Sequence, residues 1–321
     1  VLAQIATLNT DNPWLEKRRA KLLFQVGQHC ERLAELALAH TIYRDCAYPG
    51  ARARLIRVLE RQEDFAQALA LALQAHAAPH SAAEQQHLLR VLPRLRRKLG
   101  EPAQPRPKPQ VIQRLDLELP FPEPVAGVEF CVQAHLGDEE GPVHYVENTL
   151  INSLFGLLCW PAIFAPLPGS FFHPFKRGPV DLHSEDFHQR RAELFATCLD
   201  QLHDQRYKTT IRQRYAEKWG IQSPFVFWNV LSEELLDQAL DCLPADHLRH
   251  WFERLLLDIR ANRAGMPDLI QFWPAQKTYR MIEVKGPGDR LQDNQLRWLE
   301  FCGEHQMPVT VCYVRWAEQG A

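Results

Sequence analysis

The sequence lacks a long hydrophobic run, a paired cysteine motif and an excess of charge of either sign. Without a run of about 18 apolar residues it has no candidate for a membrane-spanning helix, and no secretory signal peptide is recognisable. The formal net charge of −2 provides no overall attraction to nucleic acid or to an acidic membrane. We therefore expect no membrane partner, and any contact with nucleic acid must come from local basic patches.

The eight cysteines form neither a CxxC pair nor a regular framework, so they are predicted to be reduced core residues. This pattern predicts an intracellular protein, in the cytoplasm or nucleoid if the source is bacterial, as the Ala-, Leu- and Arg-rich composition suggests. The chain begins at Val1 directly in helical-looking sequence, and we expect it to be the C-terminal portion of a longer protein.

Residues 1–135 are predicted to form an all-α domain. Between residues 13 and 100, apolar residues recur at helical spacing, and breaks fall at "YPGAR" and "RQEDF". The stretch "YRDCAYPGARARLIRVLERQEDFAQALALALQA" has the helix–turn–helix size of a tetratricopeptide-like repeat, although a generic helical bundle fits equally well. Four prolines in residues 101–109, "EPAQPRPKP", predict an extended connector in this domain.

Residues 136–321 are predicted to form an α/β domain. The segment "VHYVENTLINSLFGLLCW" (143–160) is predicted to be an apolar helix, and further helices follow it. A β–β–α–β order then runs through "DLIQFW", "YRMIEVK", "DRLQDNQLRWLEFCGEH" and "VTVCYV". This succession of helices and strands is typical of an α/β domain.

Charged residues interrupt the apolar strands of this second domain. Glu283 and Lys285 lie two positions apart, so they share one face of a strand, and a hairpin would place Asp268 beside them. Two neighbouring carboxylates repel unless a cation lies between them. Mg²⁺ or Mn²⁺ suits such oxygen ligands, and the Lys285 ammonium can stabilise charge on a phosphate. The pattern is compatible with phosphodiester hydrolysis, and a structural Glu–Lys pair on an edge strand is the alternative that the spacing alone leaves open.

Two further polar residues are predicted on apolar helical stripes. Gln295 would face the active-site lysine or a metal-bound water, on a helix that follows "GPGD" and is capped by Asp289. Glu147 would lie on the apolar stripe of the helix at 143–160, where a metal ion would compensate its buried charge. The alternatives are an amide bonded to the backbone for Gln295 and a glutamate at a helix N-terminus for Glu147.

These motifs together resemble the VRR-NUC branch of the PD-(D/E)xK nucleases. The resemblance is carried by "GMPDL" and "IEVKGPGDRLQDNQLRWL", and "ENTLINSLFGLLCWPAIF" with its spacer to "RANRAGMPDL" is similar to the Fanconi-associated nuclease family. It implies a restriction-endonuclease-like α/β nuclease domain preceded by a tetratricopeptide-like helical domain. It also implies a structure-specific DNA nuclease that cuts near 5′ flaps, degrades DNA from 5′ to 3′ and acts in interstrand crosslink repair.

The resemblance also implies roles for individual residues. Glu147, Asp268, Glu283 and the Val284 carbonyl would hold Mn²⁺ or Mg²⁺, and Lys285 would be the catalytic lysine.

Some members of the family hold the 5′ phosphate of the substrate in a basic pocket. Arg260 and Arg263 lie just before the PD motif and would contribute to such a pocket. A position that is basic in some members is Asn294 here, which argues against a tight pocket.

Two basic clusters are predicted to hold the DNA backbone. The first comprises Arg94, Arg96, Arg97 and Lys98, and the second comprises Arg206, Lys208, Arg212, Arg214 and Lys218. Tyr207, Tyr215 and Trp219 are interleaved with the second cluster and would stack on unpaired bases of branched or 5′-flap DNA. For both clusters, the alternative is a solvated helix face.

Other functions stay open on the sequence alone. A catalytically inactive DNA-binding or protein-docking scaffold would not need the clustered carboxylates, which argues against it. The helical domain could dock protein partners. The same fold could act on RNA, and a comparison of 5′-flap DNA with the matching RNA would distinguish the two substrates.

Overall fold

The computed structural model describes residues 12–102, 112–122, 124, 126–173, 175–184 and 186–317. The chain divides into two compact units after residue 108. Most of the predicted proline-rich connector, residues 103–109, lies outside the described residues. None of the described helices has both the length and the apolar character that a membrane crossing requires.

The described part of the first unit is helical, as predicted. Its helices are α1 (Pro13–Arg32), α2 (Leu36–Arg44), α3 (Ala51–Arg61), α4 (Phe65–Ala77) and α5 (Ala82–Lys98). Gly50 adopts a φ of 87° directly before α3, and the Asp64 side chain accepts a hydrogen bond from Gln67 N at the start of α4. The two predicted breaks are thereby confirmed. The left-handed Gly50 lies between α2 and α3. The capping carboxylate of Asp64 marks the start of α4 after the end of α3.

The second unit is built on a five-stranded mixed sheet in the order β1-β5-β4-β3-β2. Its strands are β1 (Gln113–Leu119), β2 (Val143–Tyr145), β3 (Leu269–Trp273), β4 (Thr278–Lys285) and β5 (Val309–Trp316). Its helices are α6 (Val128–Leu136), α7 (Leu150–Leu158), α8 (Trp160–Ile163), α9 (Ala192–Asp200), α10 (Arg206–Lys218), α11 (Glu233–Cys242), α12 (Ala245–Leu257), α13 (Ile259–Asn262) and α14 (Asp293–Glu304).

The predicted β–β–α–β order is present as β3, β4, α14 and β5. β3 and β4 form an antiparallel hairpin, and β5 pairs with β4 in parallel after the crossover through α14. The hairpin turns through the short 3₁₀ segment Pro274–Gln276 and Lys277, whose φ of 52° reverses the chain.

β1 extends the sheet beyond the boundary expected from sequence. Residues up to 135 were expected to belong to the helical domain, yet Gln113–Leu119 pairs in parallel with β5 along its whole length. Backbone hydrogen bonds to a partner almost 200 residues away override the local proline-rich context, so this segment lies in the sheet unit.

The segment 143–160 is not a continuous helix, which corrects the sequence prediction. Val143–Tyr145 forms the edge strand β2 against β3, and helix α7 begins only at Leu150. Between them Asn148 adopts a φ of 53°, a left-handed conformation that interrupts a helix.

The two faces of the sheet bury different clusters. Ile282 and Val284 of β4 pack in the cluster that includes Val132 of α6, whereas Met281 packs on the opposite side in the large helical core. Because side chains alternate along a strand, Glu283 and Lys285 share the face of Met281, as the sequence predicts. A charged pair is therefore directed toward the most apolar part of the unit.

Candidate active site

The β3–β4 hairpin brings Asp268 and Glu283 together at one end. Asp268 directly precedes β3, and the register pairs Leu269 with Ile282, so the two carboxylate residues follow as neighbours across the hairpin. The Asp268 Oδ2 atom accepts a hydrogen bond from Val284 N at 2.8 Å. Burial is the main cause that raises the pKa of Asp268 to about 6, against the lowering effect of the Val284 N–H and of Lys285.

Glu283 is fully buried, and neither carboxylate oxygen receives a well-directed hydrogen bond. The Lys285 Nζ atom lies 2.6 Å from Glu283 Oε1 and forms an ion pair with it, although the angle is unfavourable for a hydrogen bond. Burial, followed by the repulsion of Asp268, raises the pKa of Glu283 to about 8. The carboxylate thus lacks the donors that a buried anion needs.

Glu147 lies in the turn between β2 and α7 rather than on a helix, which corrects its predicted position. The Tyr145 hydroxyl donates to Glu147 Oε2 at 2.7 Å, and Asn148 Nδ2 donates to Oε1 at 3.1 Å. Asn148 Oδ1 in turn accepts from Met266 N at 3.0 Å, which ties this turn to the loop before Asp268. Glu147, Asp268 and Glu283 are close enough that the first raises the pKa of the other two.

Sequence reasoning missed several residues around these carboxylates. Tyr145 and Asn148 orient Glu147, and Glu129 of α6 is near enough to raise the pKa of Asp268. An alternating strand that places Tyr145 and Glu147 on one face would have revealed the first contact. No sequence signal connects Glu129 to the hairpin, because the two are more than 130 residues apart.

Gln295 is held by its own helix terminus. Its Oε1 atom accepts from Gln292 N at 2.9 Å, and the two glutamines form a reciprocal capping box at the start of α14. The helix cap is therefore Gln292 and not the predicted Asp289, whose carboxylate instead accepts from Gly286 N at 3.0 Å. A catalytic role for Gln295 stays a prediction, and the amide bonded to the backbone is the arrangement observed.

The glycine before the PD motif fixes the distance between two elements. Gly265 has a φ of 92°, and a Cβ atom there would lie 2.9 Å from the backbone carbon of Asn294 in α14. Only glycine lets the loop that carries Asp268 approach the helix this closely. The same contact leaves Asn294 packed on the loop.

The donor set fits a hard divalent cation, although the carboxylates are not preassembled around one. Among the described residues, no three His, Cys, Asp or Glu side chains are grouped tightly enough to hold a metal as they stand. Glu147 is occupied by Tyr145 and Asn148, and Glu283 by Lys285. The two carboxylate oxygens of Glu283 without well-directed donors are nevertheless the hard, anionic ligands that Mg²⁺ and Mn²⁺ prefer.

The predicted basic residues before the PD motif differ in their surroundings. Arg260 is exposed and has no ion pair with any described residue. Arg263 is half-buried, donates to the Pro224 carbonyl at 2.7 Å and lies over the Phe225 ring. Burial, together with the neighbouring charge of Arg177, lowers the pKa of Arg263.

The second predicted DNA-binding cluster lies on α10 and is mostly engaged within the protein. Arg206 pairs with Asp204 and Asp200, Arg212 pairs with Asp237 and Asp241, and Arg214 donates to the Leu157 and Leu158 carbonyls. Arg214 thereby caps the C-terminus of α7. Of the residues predicted to bind DNA on this helix, Lys208, Arg214 and Lys218 form no ion pair with another described residue.

The aromatic residues of α10 correct a second expectation. Tyr207 is 1% exposed and Tyr215 is 7% exposed, with the Tyr215 hydroxyl donating to the Leu231 carbonyl. Helical periodicity turns both rings toward the core, so they cannot stack on bases as predicted. Trp219 is exposed, but its ring packs against Tyr215 and Trp228.

The first predicted cluster lies at the end of α5 in the helical unit. Arg94 forms two hydrogen bonds to Glu60, Arg96 lies 3.5 Å from Glu101, and Lys98 lies over the Phe65 ring. Arg97 is exposed at the end of the helix.

Known nucleases are similar to this chain in sequence and in fold. Residues 202–316 match the model of the VRR-NUC domain family. The chain is 65% identical, over 95% of its length, to a Fanconi-associated nuclease 1 homolog of Pseudomonas aeruginosa, and it covers 55% of that protein. It is 32% identical to Fanconi-associated nuclease 1 of Danio rerio over 56% of this chain and 18% of the relative. The chain thus spans little more than half the length of the bacterial relative and less of the other.

A solved structure is similar over nearly the whole chain. The crystal structure of paFAN1 bound to 2nt 5′flap DNA with gap matches with a TM-score of 0.94 and 63% sequence identity, covering 98% of this chain and 57% of that one. Its complex with 1nt 5′flap DNA with gap matches with a TM-score of 0.93.

Proposed function

We propose, from the premise that this chain belongs to the Fanconi-associated nuclease family and carries its VRR-NUC domain, that it is a metal-dependent DNA nuclease acting on branched substrates. The single observation that carries the proposal is the fully buried Glu283 carboxylate, which lies beside Asp268 and Lys285 without well-directed donors. A scaffold has little use for such a buried charged pair, since the cost of removing both charges from water offsets their attraction.

Glu147, Asp268, Glu283 and the Val284 carbonyl would hold the metal ion, which is Mg²⁺ or Mn²⁺ in this proposal. When bound, the ion supplies a polarised water and neutralises charge at the scissile phosphate. The raised pKa values of Asp268 and Glu283 support the assignment, because carboxylates that repel each other gain most from a shared cation.

Lys285 has a different role in the proposed reaction. Its ammonium lies 2.6 Å from Glu283 Oε1 and is 7% exposed, at the end of β4. From that position it would hold a proton and a positive charge at the phosphate that is attacked, where negative charge develops. Lysine cannot ligate a metal while protonated, so its charge adds to that of the ion.

The proposed substrate is DNA with a 5′ flap. Both similar crystal structures contain 5′-flap DNA with a gap, and we infer that this chain cuts near the same type of junction. The finer parts of the proposal are 5′-to-3′ exonuclease activity and a role in interstrand crosslink repair. A repair nuclease of this kind acts inside the cell, where the chromosome is.

The helical unit is proposed to position branched DNA or to dock a protein partner. The exposed Arg97 and the adjacent Lys98 support a DNA contact at the end of α5. We also propose that the chain divides into a helical domain and a VRR-NUC nuclease domain.

A substrate panel tests the proposed function. The protein is incubated with Mn²⁺ or Mg²⁺ and a labelled gapped 5′-flap DNA, the same duplex without a flap, or the matching RNA. We expect cleavage of the flap DNA at least about 10-fold faster than cleavage of the other two. Equal cleavage of RNA would contradict the DNA specificity, and no cleavage with either metal would favour the inactive scaffold.

A further inference from the structure

A loop in the second unit exposes aromatic and basic side chains that the proposed chemistry does not use. We define the aromatic–basic loop as residues 171–173 and 175–179. Phe172 is 69% exposed and Phe175 is 85% exposed, which makes them the most exposed phenylalanines of the described residues. Lys176 and Arg177 follow directly, and the Lys176 Nζ atom lies 5.5 Å from the centre of the Phe172 ring. Neighbouring exposed apolar rings are typical of an interaction surface.

The base of this loop is rigidly built. The Val180 N–H donates to the Ser170 carbonyl at 2.8 Å and closes the loop. Arg191, which is 1% exposed, donates to Ser170 Oγ at 2.8 Å and to both carboxylate oxygens of Asp181. A buried guanidinium with these partners fixes the two ends of the loop, so its rings are presented on a preorganised support.

A basic cavity lies behind the loop. It measures about 290 Å³, and its lining includes Arg177, His183 and Arg263. Arg177 donates to the Ser223 carbonyl at 3.0 Å, and Arg263 donates to the Pro224 carbonyl. Each guanidinium has five N–H donors, and neither forms an ion pair with a carboxylate among the described residues. The positive charge is therefore not neutralised within the described part of the protein.

The cavity is connected to the carboxylate cluster through one buried side chain. The Asn152 Nδ2 atom donates to the Arg263 carbonyl at 2.9 Å and to the Asn148 carbonyl at 2.8 Å, and Asn152 is fully buried. Asn148 is the residue that bonds Glu147. The backbone of Arg263, which lines the cavity, is thus linked by hydrogen bonds to the turn that carries Glu147.

We propose that the aromatic–basic loop binds the unpaired strand of the DNA substrate, with Phe172 and Phe175 stacking on bases and Arg177 contacting a backbone phosphate. Unpaired bases stack on aromatic rings independently of sequence, and cations alongside hold the backbone. A duplex offers no free base faces to these rings. The absence of acidic residues in the loop sequence also fits an anionic partner better than a basic one. The inference rests on the proposed function.

The test combines a change in the loop of the protein with a change in the flap of the DNA and compares the resulting binding affinities. Affinity is measured by fluorescence anisotropy, with a chelator present so that DNA is not cut. The proteins are wild type and Phe172→Ala/Phe175→Ala, and the ligands are a duplex with an oligothymidine flap, the same duplex with an abasic flap, and the duplex without a flap. The control protein is Phe121→Ala/Leu257→Ala, since those side chains are also exposed.

We expect the loop variant to bind the thymidine flap about 10-fold or more weakly, and to bind the abasic flap and the flapless duplex like wild type. The control should bind all three like wild type, and the melting temperature should not change. An equal loss on all three ligands, or no loss on the thymidine flap, would overturn the proposal. If wild type cuts the flap DNA with Mn²⁺ in either case, the proposed nuclease function still stands.

Arg177→Gln provides a second measurement. If Arg177 contacts a phosphate of the unpaired strand, the slope of log affinity against log salt should fall by about 0.7 for the thymidine flap and for the abasic flap. An unchanged slope would remove the phosphate contact from the proposal.

Discussion

At the scale of single residues, Glu283 and Lys285 place two opposite charges in a buried site. Glu283 is fully buried beside Asp268, and Lys285 compensates only one of its oxygens. Strongly shifted pKa values of this kind cluster at functional sites. The pH dependence of the free energy of unfolding without metal therefore tests the environment of Glu283.

Glu283→Gln is expected to stabilise the metal-free protein at high pH. The pKa of Glu283 rises from 4.5 to about 8 in the folded state, so the native protein binds the proton more tightly than the unfolded chain. Its contribution is fully present below pH 4.5 and is lost as pH rises toward 8. The glutamine variant does not lose it, and its free energy of unfolding should exceed that of wild type by about 1 to 4 kcal/mol at pH 8.

Urea titrations with a chelator measure this difference, followed by fluorescence of the tryptophans, which all lie in the second unit except Trp14. The difference should shrink toward pH 4.5. The exposed Glu140→Gln is the matched control. A variant that is less stable than wild type at pH 8 would show that the charged Glu283 is structurally required.

Tyr145→Phe tests the orientation of Glu147. The change removes the hydroxyl that donates to Glu147 Oε2 at 2.7 Å. Because side chains that orient metal ligands typically contribute 10- to 100-fold in affinity or activity, the Mn²⁺ concentration for half-maximal cleavage should rise about 10-fold. Tyr207→Phe, which removes the hydroxyl of a buried tyrosine that does not contact Glu147, should leave it unchanged. An unchanged metal requirement in Tyr145→Phe would argue that Glu147 is not a ligand.

At the scale of elements, the hairpin could be predicted from sequence and the turn that carries Glu147 could not. Alternation in "YRMIEVK" and the turn residues in "PAQK" fix β3 and β4 locally, so Asp268 and Glu283 were expected side by side. Residues 143–149 are apolar enough for either a helix or a strand. The pairing of Val143–Tyr145 with β3 is a contact over more than 120 residues, which local periodicity does not contain.

The basic residues of α10 illustrate the same limit. Their sequence shows positive charge, but it does not show that acidic residues of the same unit already pair with Arg206 and Arg212. Nor does it show that Arg214 reaches the carbonyls at the end of α7. The aromatic–basic loop was missed for the opposite reason, because exposed phenylalanines look like core residues in a sequence.

Arg214→Ala is expected to lower stability rather than DNA affinity. The change leaves the Leu157 and Leu158 carbonyls without a donor in a buried region, which should reduce the free energy of unfolding by about 1 to 3 kcal/mol. Arg206→Ala removes an exposed ion pair and should change it by less than about 0.5 kcal/mol. Urea titration separates the two. Equal stability of both variants would contradict the capping role of Arg214.

At the scale of the whole molecule, the second unit combines a mixed sheet with a large helical core, and the carboxylates lie on the sheet face that meets this core. The similarity to the bacterial Fanconi-associated nuclease 1 homolog and to the paFAN1 crystal structure extends over both units. The central claim is that the buried carboxylates at the end of the β3–β4 hairpin form a metal-dependent nuclease centre.

The most direct test is single-turnover cleavage of a labelled gapped 5′-flap duplex with Mn²⁺, by wild type, Asp268→Asn and Lys285→Met. The affinity of each protein for the same DNA is measured in parallel. We expect rapid cleavage by wild type, none with a chelator, and a loss of at least about 100-fold in both variants with DNA affinity retained. Cleavage at the wild-type rate by either variant, or cleavage that persists with the chelator, would contradict the central claim.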